Sequence, residues 1–296
     1  MAYTDLTVAN GWIPEQAGSE VLTEVLNTSA VERVGRRIRM TTDTYKTPRF
    51  PSVGADLVAE GAAIPLLNPT LDHVILDAFK WADRFAQSVE DSQDSVADFF
   101  AEAKKMWFSD WAVEFDNATL GVTANKNGTT VPFTSVYNAA TTAGNRIQTA
   151  GEVTFEDVND AFVALETSRW SAARDLVVIA HPSMLGAIRN LKDADGNRMV
   201  QYPLDNGAPT IFGHELIVSH GAATSTAPTH VPSGNPLLIV GSRRHLLVGV
   251  RSGPEYAVSD APQWENDVLE LKTRVRRAFE PATGEAFYVV EKTAGA

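Results

Sequence analysis

The sequence predicts an α+β protein, and three features predict it. Residues 95–120 hold one long aromatic helical pattern, residues 171–253 alternate strand and helix signals, and residues 266–279 form a late strand of strictly alternating polarity. Ahead of them stand an irregular arm and a long hairpin.

Composition sets the limits. The chain has 296 residues, 44% of them hydrophobic, enough for one large domain or two smaller ones with their own cores. A net charge of −12 and a pI near 4.9 argue against DNA or an anionic membrane as the principal partner, since both would repel the average surface. No apolar run approaches the roughly 18–20 residues of a membrane helix, and the polar start "MAYTDLTVAN" is no signal peptide, so synthesis in a cytoplasm is expected. With no cysteine, disulfides, cysteine zinc sites and thiol nucleophiles are all excluded.

In chain order, residues 1–45 read as an arm. "SEVLTEVLNTSAVERVG" carries a short amphipathic pattern through Val21, Leu22, Val25 and Leu26, and "RRIRMTTDTYKTPRFP" then turns extended and basic. Residues 31–50 hold six cations (Arg33, Arg36, Arg37, Arg39, Lys46 and Arg49) against Glu32 and Asp43, a local +4. From 46 to 85, two strand-forming flanks enclose the small-residue stretch "VAEGAAIP". Pro48, Pro51, Pro65 and Pro69 deny this region regular ladder bonding, which predicts a long open hairpin rather than a sheet interior. A connection of that length without its own core is expected to meet a partner.

"DSVADFFAEAKKMWFSDWAVEFDNATLGV" is the strongest helix, capped by Asp94 or Ser95. Val96, Phe99, Phe100, Ala103, Met106, Trp107, Trp111 and Phe115 recur at three- and four-residue steps. About 25 residues at 1.5 Å each span nearly 40 Å. Between 84 and 117, eight acids, Asp98 and Glu102 among them, face three bases. "TFEDVNDAFVALET" is a second helix, opened by a Thr154/Asp157 capping box, with Val158, Ala161, Phe162 and Leu165 on one face. "DLVVIA", "HPSMLGAIRNLKDADGN", "HELIVSH", "PLLIV" and "HLLVGV" make up the α/β unit of 171–253, with Pro182 in a first helical turn and a turn at Asp195-Gly196-Asn197. In "NDVLELKTRVRRAF", Leu269, Leu271, Thr273 and Val275 face one way while Glu270, Lys272, Arg274 and Arg276 face the other, and "EAFYVVE" is expected to pair with this strand.

Catalytic constellations are weak. His214 and His220 are six apart, about 240° around a helix or near 20 Å along a strand, wrong for one metal ion either way. Asp193–Asn197 resembles a calcium loop, but its glycine sits at position 4 instead of 6, so a tight turn is expected. Nucleophile elbow, phosphate loop and dinucleotide patterns do not occur. The sequons at Asn27, Asn117 and Asn127 carry no weight without a secretory route. No catalytic residue, cofactor or metal is assigned. The arginine cluster suits an acidic protein face better than nucleic acid.

The order of segments resembles the major capsid proteins of tailed bacteriophages with the HK97-type fold. "VAEGAAIPLLNPTL" is similar to that family's extension-loop signature, "SVEDSQDS" with the helix after it to the turn and spine helix, and "VVIAHPSMLGAIRNLKDADGN" to the opening of the axial domain. "LLIVGSRRHLLVGVRSGPEYAVSD" and "ENDVLELKTRVRRAFEPATGEAFYVVE" are similar to its close and to the return strands. The resemblance implies an arm at 1–42, an extension loop at 43–77, a peripheral domain at 78–170 and 254–296, and an axial domain at 171–253. It further implies pentamers and hexamers in an icosahedral shell around phage DNA, bound without sequence specificity, in a virion assembled in the bacterial cytoplasm. Separate scaffolding, portal and decoration proteins are implied partners. An encapsulin-like compartment uses the same fold, and a cytoplasmic enzyme with a scattered site is the reading from another class.

On this basis Arg33, Arg36, Arg37, Arg39, Lys46, Arg49, Glu60, Asp98 and Glu102 are the candidate inter-subunit residues, the basic arm meeting the acidic helix of a neighbour. Some family members weld subunits by a Lys–Asn isopeptide bond, with a Glu seven residues after the Asn. Asn266 stands in a similar place, but Thr273 occupies the Glu position and Lys46 is the loop's one lysine, so no crosslink is expected.

Overall fold

The computed structural model describes residues 26–50, 53–69, 71–94, 98–192, 196, 200–201 and 209–293. Of the expected arm helix, Val21, Leu22 and Val25 lie outside these residues. Within them the helix is α1, Ala30–Val34, capped by the Ser29 hydroxyl accepting from the Glu32 N–H.

Two sheets carry the fold. The first has four strands in the order β1 (Arg36–Arg39), β11 (Leu246–Ser259), β12 (Val268–Pro281) and β4 (Phe79–Ser88). The second has seven: β5 (Arg146–Ala150), β13 (Phe287–Thr293), β10 (Leu237–Ser242), β6 (Leu176–Ala180), β9 (His214–Val218), β8 (Thr210–Ile211) and β7 (Val200–Gln201). A separate hairpin pairs β2 (Thr44–Arg49) with β3 (Asp72–Asp77).

The seven-stranded sheet is buried on both faces, which is why its strands read as unbroken apolar runs. Val177 and Ile179 of β6 face the core beneath the long helix, while Leu176, Val178 and Ala180 face the core beneath α5 (Phe155–Thr167) and α6 (Leu185–Asn190). A period of two thus sends one strand into two cores. Helix α5 has the expected capping box and buries the expected Val158, Ala161, Phe162 and Leu165.

Three expectations need correction. The long helix α3 runs Phe99–Leu120, 22 residues instead of about 25, and its cap is Asp98, whose carboxylate accepts the Ala101 N–H at 3.0 Å. Val96 and Ser95 lie outside the described residues, and Phe99, expected on the packed stripe, is exposed. The α/β sheet is not confined to 171–253, because β5 and β13 join it from outside and β11 belongs to the other sheet. "EAFYVVE" does not pair with β12 either. Its strand β13 lies between β10 and β5, where Phe287, Val289 and Val290 are sealed on both sides. The intervening turn at Gly284–Ala286 carries the chain across, and a Cβ on Gly284 would meet the Ala139 carbonyl oxygen at 2.1 Å, so glycine permits the crossing.

Candidate assembly surface

The extension hairpin presents the largest unpacked apolar surface. Its base is ordered by the β2–β3 ladder and seated over Met40, Val74, Leu76, Leu247 and Ala278. Pro48 sits in β2 opposite His73, tolerated in a two-stranded ladder. Beyond the base, residues 53–69 hold no strand. Ala62 N–H donates to the Ala59 carbonyl at 3.0 Å across Glu60 and Gly61, and Gly61 has φ +80°, a type II turn that needs glycine at its third position. Leu57, Ile64, Leu66 and Leu71 are exposed, Ile64 at 84% and Leu66 at 85%. Apolar side chains grouped this way mark a contact surface.

The nine candidate charges fall into two groups. Arg33 is paired within the chain to Glu215, which also takes Arg243 at 2.6 Å. Arg37 donates to the Glu32 carbonyl at 3.1 Å, and Arg49 pairs with Asp72 and donates to the Ala282 carbonyl at 2.7 Å. Asp98 is occupied as a helix cap, and Glu102 pairs with Lys105 one turn on at 2.7 Å. Arg36, Arg39, Lys46 and Glu60 are exposed and have no hydrogen-bond or ionic partner among the described residues. The structure therefore brings none of the expected arm cations onto the candidate acids Asp98 and Glu102 within one chain. Arg36 and Arg39 stand on β1, the edge of the four-stranded sheet, where cations also blunt strand-to-strand aggregation.

The arm is fastened by residues that sequence reasoning missed. Asp116, on the fully enclosed end of α3, accepts Ser29 Oγ at 2.5 Å and Val31 N–H at 3.2 Å on Oδ1, and Ala30 N–H at 2.8 Å and Ser219 Oγ at 2.6 Å on Oδ2. Burial pushes its carboxyl up to about 6 in spite of these four donors. Next to it Asn117, also fully buried, donates to the Gly221 and Ala223 carbonyls at 3.1 and 2.8 Å. Arg277 is buried against Glu32, with its guanidinium 5.3 Å from the Trp111 ring. A third node centres on the buried Glu291, which accepts from Asn235 at 2.7 Å, Tyr137 at 2.9 Å and Gln148 at 3.0 Å. In sequence these were one acid in an acidic helix, one sequon, one strand cation and one strand end.

The histidines give no reason to invoke a metal. His214 stacks on Phe162 at 5.2 Å, and His220 meets His181 edge to face at 6.2 Å. Among the described residues no group of three or more metal-ligating side chains converges.

Comparison with known proteins agrees with this architecture. The chain is 22% identical to the probable major capsid protein gp17 of Mycobacterium phage D29 over 97% of its own length and 92% of the relative's. A solved structure from Microbacterium phage Oxtober96 superposes with a TM-score of 0.74 at 20% identity, covering 99% of this chain and 100% of that one. One from Mycobacterium phage Bobi reaches 0.75 at 16% identity with the same coverage. These likenesses establish an HK97-type α+β capsid fold. The phage capsid family profile matches residues 10–292, nearly the whole chain; the protein belongs to the phage capsid family and has the function of a phage major capsid protein.

Proposed function

We propose that the subunit assembles into pentamers and hexamers that close an icosahedral shell around phage DNA, with the extension hairpin and the arm laid over neighbouring copies. The observation that carries this is the hairpin itself. Its base is ordered, its tip exposes Leu57, Ile64 and Leu66, and nothing among the described residues covers them. Burying such side chains stabilises by about 1.5–3 kcal/mol each, a contribution that a neighbouring copy would supply.

A net charge of −12 fits a container that releases its DNA, because an anionic wall does not hold phosphates. The role is structural rather than enzymatic, carried out in the virion after assembly in the host cytoplasm, with scaffolding, portal and decoration functions supplied by separate proteins. Electron microscopy of the purified protein tests the reading. Closed, thin-walled polyhedral shells support it, and monodisperse small particles at every concentration overturn it.

A further inference from the structure

The four-stranded sheet holds a cationic cleft that no segment among the described residues fills. Lys80, Arg251, Ser252, Glu255, Arg274 and Arg276 line it. Lys80 lies directly across the ladder from Arg276, and four residues along Arg84 lies across from Lys272. Like charges opposite one another destabilise a sheet, so this placement weakens the isolated subunit. Two register shifts in β11, between Val250 and Ser252 and between Ser252 and Glu255, interrupt the ladder beside the cleft, as bulges do where a strand is shaped for a partner.

The cations are not neutralised from within. Arg274 takes Glu255 at 2.5 Å, and Asp43 is shared by Arg276 at 2.9 Å and Arg251 at 3.4 Å. Four cations thus meet two carboxylates, an excess of two positive charges. The Arg251 Nε–H reaches only Asp43, at 3.4 Å, and the Arg276 Nε–H is buried without an acceptor among the described residues, so the two internal carboxylates satisfy these guanidinium groups incompletely.

The same subunit displays the complementary chemistry elsewhere. Helix α2, Val89–Asp94, begins directly after β4 and contains no base. Glu90 and Asp91 are exposed, and their carboxylates have no ionic partner among the described residues. The cleft is at the Phe79 end of β4 and α2 follows the Ser88 end, about 27 Å away at the rise of a β-strand. The two poles of one sheet cannot meet within one chain.

We propose that the carboxylates of Glu90 and Asp91 of a second copy occupy the cleft between Lys80, Arg251, Arg274 and Arg276, making a head-to-tail contact between adjacent subunits. Two carboxylates match the surplus of two cations. Such a contact pairs different patches on the two copies, so it can repeat from copy to copy rather than stopping at a dimer, and it makes a ring where the rotation closes. Nucleic acid is disfavoured as the occupant because a chain of net charge −12 repels it, whereas a neighbouring copy brings its acids on a local patch. This inference rests on the shell reading above, and deepens it by naming one contact.

The test uses shells assembled from a mixture of light and heavy-isotope subunits, treated with a zero-length carbodiimide that joins lysine to carboxylate. Light–heavy peptides linking Lys80 to Glu90 or Asp91 are expected. In parallel, Lys80→Glu is expected to abolish closed particles, and combining it with Glu90→Lys and Asp91→Lys to restore them. Melting of the unassembled Lys80→Glu subunit separates misfolding from lost contact, and an unchanged melt with lost shells is the expected pair. Normal shells from Lys80→Glu, Lys80 linked to other carboxylates, or a cleft that binds added DNA and loses that binding in Lys80→Glu would each overturn the contact while leaving the shell intact as a conclusion. Wild-type protein that forms no shells under any condition would overturn the shell reading, and this contact with it.

Discussion

Ser219 donates its hydroxyl proton to Asp116 at 2.6 Å, so the residue following β9 is tied to the long helix α3 through the same carboxylate that holds the start of α1. Three segments more than 80 residues apart in sequence converge on one buried anion.

Asp116→Asn is expected to destabilise the unassembled subunit at pH 7 by about 2–4 kcal/mol, because an amide NH2 would face N–H and O–H donors. The carboxyl is raised from 3.8 to about 6 in the fold, so the folded state binds the extra proton between those values. Its contribution is therefore greatest below about pH 4, falls as pH rises through 6, and is constant above. Denaturant melts from pH 4 to 7 should show this downward slope in the wild type and lose it in Asp116→Asn.

Replacing Leu57, Ile64 and Leu66 together by Ser is expected to leave the subunit's stability within about 0.5 kcal/mol, since these side chains are already in water. Shell yield should nonetheless collapse. Paired melting and particle counting checks both halves.

Reversing Arg36 and Arg39 to Glu should leave the monomer folded and block closure, because neither has a partner among the described residues. Reversing Arg33 breaks its exposed pair with Glu215 and should cost the monomer no more than about 1 kcal/mol. Normal shells from the Arg36/Arg39 double variant would refute a role for β1 in contacts between copies.

Mature particles boiled in detergent should run as a single monomer band. Thr273, where crosslinking relatives carry a glutamate, is fully buried and donates to the Asp83 carbonyl at 3.3 Å. A ladder of larger species would refute this.

What sequence reveals follows the range of the forces involved. Thr154 and Asp157 announce α5 because a capping box acts over three residues, and the alternation of Leu271, Thr273 and Val275 is equally local. The cap of α3 is not fixed by local sequence because Asp94, Ser95 and Asp98 all suit the role within five residues, and it is the Asp98 carboxylate that accepts the Ala101 N–H. The partner of β13 was misread because adjacent strands usually pair, while here two-faced burial drew it to β10. Arg277 and Glu32, 245 residues apart, could be matched by no local rule. Among the candidate charges, Asp98 and Glu102 were drawn into bonds three residues away, and this left Arg36, Arg39, Lys46 and Glu60 as the charges free for a neighbour.

The placement of β12 and β13 has a consequence for synthesis. Strand β12 is internal to the four-stranded sheet and β13 is internal to the seven-stranded one, so the first is continuous only once Pro281 has left the ribosome and the second only once Thr293 has. A nascent chain that stalls before β12 leaves β4, β5, β10 and β11 with open ladders, and one that stalls before β13 still leaves β5 and β10 open. Only chains translated through to their closing strands therefore carry both finished sheets.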